Sequence, residues 1–166
     1  MRFFRVFVAL AVVGILASCG TPSKFRTYNG PEVTQIVVNK SARRMYLYHH
    51  HQRLRTFRVQ LGGNPNGHKQ YRGDRRTPEG DYFIDRRNPN SAFHLSIGIS
   101  YPNVVDRARA QANGRDPGGD IFIHGQGPRF QGARGDWTDG CIAVTDRQME
   151  DIYAMVRDGT PIRIMP

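Results

Sequence analysis

The chain has 166 residues, with 24 Lys and Arg against 14 Asp and Glu, two Cys and one Trp. That length suits one domain, and a domain of roughly 150 residues buries about 70% of its unfolded surface, enough for a real core. Hydrophobic residues at 39% and charged residues at 23% exclude a disordered chain and a polytopic membrane protein. Two cysteines exclude a disulfide scaffold or a thiolate zinc cluster. The formal charge of +10 calls for an acidic partner but does not choose among nucleic acid, anionic lipid and anionic polymer.

Arg2 and Arg5 precede an apolar run from Val6 to Leu16, too short to span a bilayer, which takes about 20 residues. A basic start, a short apolar stretch and small residues describe an export signal. Leu16-Ala17-Ser18-Cys19-Gly20 resembles a bacterial lipoprotein signal. It implies cleavage before Cys19, lipid on its sulfur and a membrane anchor. Gly20 after the cysteine favours the periplasmic face of the outer membrane. The expected organisation is a signal over 1–18, a lipid-anchored tether over 19–31 and a catalytic domain over 32–166. The tether reading rests on the polar, Pro- and Gly-containing run Thr-Pro-Ser-Lys-Phe-Arg-Thr-Tyr-Asn-Gly-Pro.

Residues 33–38 are rich in β-branched side chains. Residues 45–48 and 54–61 continue the strand pattern, with polar turns at 39–44 and 49–53, which predicts an antiparallel meander. The His49-His50-His51 run falls in such a turn, so a polar hairpin is favoured over a metal tract. Residues 81–85 form a further strand after the turn Thr77-Pro78-Glu79-Gly80. Residues 93–100 alternate Phe93, Leu95, Ile97 and Ile99 against His94, Ser96, Gly98 and Ser100, a period of two. Residues 106–112 form a short helix, 113–119 a Gly/Pro-rich loop and 121–123 a buried strand. Met149, Ile152, Tyr153 and Val156 recur at helical spacing over 146–157, and 162–165 closes the chain as a strand. The fold class is mainly β (α+β), with mixed sheets and one C-terminal helix packed on them.

His124-Gly125 ends the strand at 121–123, and Cys141 lies in Trp137-Thr138-Asp139-Gly140-Cys141-Ile142-Ala143-Val144-Thr145. A thiol attacks only as thiolate, and a nearby His lowers its pKa and carries the proton. Gly140 lets the backbone turn sharply, which can aim local N–H groups at an oxyanion. Against this stands the plainer reading of Cys141 as a small buried hydrophobe.

From about residue 33 to 165 the sequence resembles the catalytic domain of YkuD-type L,D-transpeptidases, whose signature is His-Gly, a variable loop and Ser/Thr-His-Gly-Cys. His124-Gly125 and Thr138-Asp139-Gly140-Cys141 supply the two parts, and Gly73 to Tyr82 matches the family's Thr-Pro-x-Gly turn leading into a strand. Two positions depart: Asp139 stands for the family's His, and Ala143 for its Arg or Asn. Both occur together in a divergent branch similar to YafK, which is associated with hydrolysis as well as cross-linking.

The resemblance implies that Cys141 attacks the carbonyl after the third residue of a peptidoglycan stem peptide, that His124 serves as general acid and base, and that the carbonyl of Gly125 orients the imidazole. It implies no metal and no cofactor. Thr138 shapes the loop; Asp139 either orients His124, repels a substrate carboxylate or fixes the turn; Trp137 is either groove wall or core. Arg72, Arg75, Arg76, Arg86 and Arg87 read as a solvated face that could meet wall carboxylates. The partners expected are peptidoglycan stem peptides and, through lipid, a membrane; the chain is expected to be a monomer. The first alternative is a thiol hydrolase trimming the wall or releasing a wall-bound protein; the second is a non-catalytic wall-binding lipoprotein. Nucleic-acid binding rests on charge alone and is not expected.

Overall fold

The computed structural model describes residues 23–166; the signal segment and Cys19 lie outside them. The chain forms strands β1 (Gln35–Asn39), β2 (Arg44–His49), β3 (Gln52–Arg58), β4 (Gly80–Asn88), β5 (Ser96–Ile99), β6 (Phe122–His124), β7 (Ile142–Ala143) and β8 (Pro161–Met165), with helices α1 (Val104–Ala112) and α2 (Asp146–Met155). The strands make one eight-stranded mixed sheet in the order β3-β2-β1-β8-β4-β5-β6-β7. The meander β1-β2-β3 is antiparallel, as the alternation predicts. The closing strand β8 runs parallel to β1 and antiparallel to β4, and so ties the meander to the rest.

The sheet curls until its two edges meet. Past the end of β3, Gln60 pairs with Ala143 of β7 and Gly62 with Thr138. The closure sets the residues around Cys141 against the far end of the sheet. The core runs along the inner face of the curl: Ile36, Val38, Met45, Leu47, Ile97 and Ile123 are fully buried. Helix α2 seals it with Met149 and Ile152, both at 0% exposure. Its N-terminus is closed by a capping box between Thr145 and Gln148. A second box, Asn103 with Asp106, starts α1 two residues earlier than the periodicity indicates.

The period of two over 93–100 holds only in part. His94 adopts φ +76, so the strand begins at Ser96 and Phe93 leaves the sheet. Leu95 to Ile99 are then buried on both faces. Gly98 belongs to this close packing, because a Cβ there would come 2.4 Å from Asp85 Oδ1. His50 and His51 form the β2–β3 hairpin turn. Residues 23–31 run over the domain, with Arg26 paired to Glu150 and Asp151 at 2.6 Å each and Lys24 donating to the Pro89 carbonyl at 2.6 Å.

Candidate active site

The ladder between β6 and β7 sets Ile123 beside Ile142 and His124 beside Ala143. Cys141 therefore stands level with Phe122, whose backbone N–H reaches its sulfur at 3.4 Å. Cys141 lies immediately before β7, and His124, the last residue of β6, lies two residues further along the same parallel ladder. The thiol hydrogen points to the Asp120 carbonyl at 3.5 Å and not to the imidazole. Burial pushes the thiol up to about 11; the Phe122 N–H opposes this, and the Asp139 carboxylate adds to it.

The turn before Cys141 is built from backbone and one hydroxyl. Thr138 Oγ1 donates to the Cys141 carbonyl at 2.7 Å and accepts the Gly140 N–H at 3.2 Å. That N–H is thus taken inside the turn, so Gly140 serves by its conformation and not as an oxyanion donor. Gly140 has φ +127, and a Cβ there would meet the Arg76 carbonyl at 2.7 Å. Gly62, across the closing bridge, approaches as tightly: its Cβ would lie 2.1 Å from the Arg75 carbonyl. Its N–H is held by the fully buried Thr77 hydroxyl at 3.0 Å. The Thr-Pro-x-Gly turn and the cysteine turn, distant in sequence, thus support each other.

His124 is 3% exposed. Its Nδ1 lies 2.5 Å from the Gly125 carbonyl. A carbonyl only accepts, so Nδ1 carries the hydrogen and Nε2 presents the lone pair in the neutral ring. Burial lowers the imidazole pKa, while the Gly125 carbonyl and, less, Asp146 favour the charged form. Phe93 packs on the ring with centroids 4.4 Å apart, and Trp137 meets it edge-on at 5.7 Å. Trp137 in turn stacks on Phe130 at 4.5 Å and 18°. Trp137 is therefore half-buried wall, shared between groove and interior.

The structure does not bring Asp139 to His124. Its side chain is 92% exposed and pairs with Arg75 at 3.3 Å, because the positive φ of the next residue, Gly140, turns the chain away from the imidazole. His94 also turns away and bonds Glu150 at 2.9 Å, so it is the preceding Phe93 that borders the site. Of the five arginines, Arg75 donates to the Trp137 carbonyl at 3.2 Å and Arg86 lies 4.4 Å over the Phe122 ring while pairing with Asp120. Arg72 joins the loops 64–76 and 113–119 through Asp116 at 2.7 Å. Arg87 covers Tyr153 on α2, away from the thiol.

Several residues that support the site carry no local signal in the sequence. Asp146 Oδ1 accepts the N–H groups of Gln126 and Gly127 at 2.7 and 2.8 Å, fixing the chain just after His124. Its position inside the Thr145–Gln148 capping box is the one sequence clue to it. Lys69, 3% exposed, pairs with Asp74 at 2.9 Å. Burial opposes the Asp74 charge, but the N–H groups of Gln70, Arg76 and Tyr71 together with Lys69 hold its carboxyl below the usual range. Among the described residues, no group of three His, Cys, Asp or Glu is arranged to hold a metal ion.

Residues 33–164 match the L,D-transpeptidase catalytic domain, YkuD. The chain is 28% identical over 128 residues to YafK of Escherichia coli (strain K12), covering 73% of this chain and 46% of that protein. It thus spans about half the length of the curated relatives it matches. The fold is similar to that of the helical cell shape determining protein Pgp2 from Campylobacter jejuni, with a TM-score of 0.62 and 26% identity over 87% of this chain and 51% of that one. It is also similar to that of an L,D-transpeptidase from Mycobacterium smegmatis, with a TM-score of 0.54 and 15% identity over 81% and 59% of the two chains, a likeness of fold alone. With most of its length matched by the family and the two motifs brought to paired strands β6 and β7 of that fold, the chain belongs to the YkuD family of L,D-transpeptidase catalytic domains.

Proposed function

We propose that this chain is a cysteine acyltransferase acting on peptidoglycan stem peptides. The observation that carries the reading is the placement of Cys141 immediately before β7, beside β6, which ends in His124, with Nδ1 fixed on the Gly125 carbonyl so that Nε2 is the basic atom. In the reaction, Nε2 takes the thiol proton as Sγ attacks the carbonyl after the third, L-configured residue. The C–N bond to the fourth, D-configured residue breaks, and its amine leaves with the proton from His124. An acyl group remains on Cys141. An incoming amine then gives a cross-link or an attached protein; water gives a shortened peptide. Thiol and imidazole are both neutral at rest, since burial raises one and lowers the other. Proton transfer must therefore accompany attack.

The hydrolase reading draws on Asp139 and Ala143, the two positions that depart from the family's pattern; Asp139 is exposed, and Ala143 is fully buried where the sheet closes. Export through residues 1–18, lipid on Cys19 and a position at the periplasmic face of the outer membrane complete the proposal. Mass spectrometry of the processed N-terminus tests them.

The deciding experiment for the chemistry is mass spectrometry of muropeptides after incubating disaccharide tetrapeptides with the full chain, beside Cys141→Ala. A dimer absent from the variant establishes transfer. Loss of the fourth residue without a dimer establishes hydrolysis. No Cys141-dependent product, on tetrapeptides or on intact sacculi, overturns the catalytic reading.

A further inference from the structure

The segment after β3 contributes one side chain that reaches the imidazole's surroundings from the opposite edge of the sheet. Gln60 is half-buried. Its backbone is fixed to Ala143 in both directions, N–H to carbonyl at 2.9 Å and carbonyl from N–H at 2.8 Å. Its side-chain Oε1 accepts the Trp137 indole N–H at 3.0 Å and the Gln126 Nε2–H at 3.2 Å. Its Nε2 donates to the Ala133 carbonyl at 2.7 Å. The indole is a donor only, so the amide has one orientation that satisfies all three contacts. Gln126 completes the frame: its Nε2 also reaches the Ala133 carbonyl at 3.1 Å, and its Oε1 accepts the Gly132 N–H at 2.9 Å.

We infer that Gln60 is a positioning residue of this site: its side-chain oxygen holds the Trp137 indole edge-on to His124, and so fixes the imidazole through which the proton moves. The inference rests on the reading of His124 as the general base. Stacking on Phe130 sets the plane of the indole but leaves it free to slide in that plane. The hydrogen bond to Gln60 removes that freedom, and the paired Ala143 backbone anchors it to the strand that directly follows Cys141. Indole and imidazole are thereby tied to the same ladder as the thiol. A misplacement of about 1 Å at such a group is enough to cost a large factor in rate.

The test uses the single tryptophan of the chain as its reporter. Gln60→Leu keeps volume and removes the amide. It is expected to shift Trp137 emission to longer wavelength and to raise the His124 titration, followed by NMR, toward its ordinary value. It is also expected to slow iodoacetamide modification of Cys141 about tenfold, the equivalent of one partly buried hydrogen bond. Trp137→Phe keeps the ring stack and loses the N–H; it reads the same coupling if Gln60→Leu does not fold. In the double variant the two losses are expected not to add.

Unchanged emission, ring titration and alkylation in Gln60→Leu would overturn the inference. So would additive losses in the double variant. A wild-type Cys141 that resists alkylation at every pH would instead sink the thiol chemistry, while emission and ring titration would still decide the role of Gln60.

Discussion

Around Cys141 the chain is held by backbone: two glycines, one threonine hydroxyl and a bridge to residue 62 set the turn. Around His124 one backbone carbonyl, that of Gly125, holds the ring nitrogen, and the rest of the support is made of side chains drawn from four separate stretches, Gln60, Phe93, Gln126 with Phe130, and Trp137. A turn built from backbone has few alternatives, since a residue with φ near +127 either is glycine or is strained. A ring packed among side chains can shift by small amounts and still be packed. Substitutions at the thiol should therefore act nearly as a switch, and substitutions around the imidazole as a graded series.

The sharpest test of that contrast is Gly140→Ala. It places a Cβ against the Arg76 carbonyl and the Ile121 side chain, and it asks alanine to hold φ +127. The strain is about 1–3 kcal/mol, and the overlap at 2.7 Å adds to it. Urea unfolding should show a midpoint well below wild type, and Cys141 alkylation should change by far more than in any single substitution around His124. A Gly140→Ala chain with wild-type stability and reactivity would break the contrast.

The second test is pH, because burial acts on the two groups in opposite senses. The thiol rises from an ordinary 9.0 to about 11. Between those values the folded chain keeps a proton that the unfolded chain releases, so stability falls as pH rises through that window. The imidazole falls below its ordinary 6.5. Below 6.5 the unfolded chain takes up a proton more readily than the folded one, so stability falls again as the solution is acidified. Urea midpoints should thus decline on both sides of neutrality, and Cys141→Ala should lessen the alkaline decline and leave the acid one, the buried Tyr82 and Tyr101 hydroxyls, also raised by burial, keeping their share of the alkaline loss. The alkylation rate of the wild type should climb steadily from pH 7 to 10. A plateau already reached at pH 7 would mean a preformed thiolate–imidazolium pair and would contradict the neutral resting state.

The same contrast explains which parts were legible in the sequence. The meander and β8 are readable because short runs rich in β-branched and other apolar residues, among them Ile36, Val38, Met45, Leu47, Ile162 and Ile164, are separated by polar turns, and these residues are buried. The His124 and Cys141 positions are readable because the backbone they need is written locally, in His-Gly and in Thr-x-Gly-Cys. The alternation over 93–100 puts Phe93 on a strand face, but the positive φ at His94 takes it out of the sheet and it packs on His124. Strand β7 has two residues and exists because Gln60 and Ile123 flank it, so no periodicity inside it could announce it. Gln60 and Gln126 are single polar residues that belong to no motif. Their roles come from closure of the sheet, a contact between residues far apart in the chain, and local pattern carries no trace of that.

Asp139 gives the smallest expected effect and the finest discrimination. It sits inside the cysteine motif, where the family carries a histidine, yet its side chain is almost fully exposed and pairs only with Arg75. An exposed pair of this kind contributes about 0–1 kcal/mol, so Asp139→Asn should leave the unfolding midpoint within about 0.5 kcal/mol of wild type. The carboxylate does reach the thiol as charge, since it adds to the rise of the Cys141 pKa. Removing that charge while keeping the shape should lower the thiol pKa and speed alkylation at pH 8 by a small factor. The gain should shrink as salt is added, because an exposed charge is screened. The imidazole titration should stay where it is, because Gly125 and not Asp139 holds the ring. If Asp139→Asn instead moved the His124 titration and slowed the thiol, Asp139 would belong to the imidazole's support after all, and the division between a backbone-held thiol and a side-chain-held imidazole would fail at the one residue that stands between them.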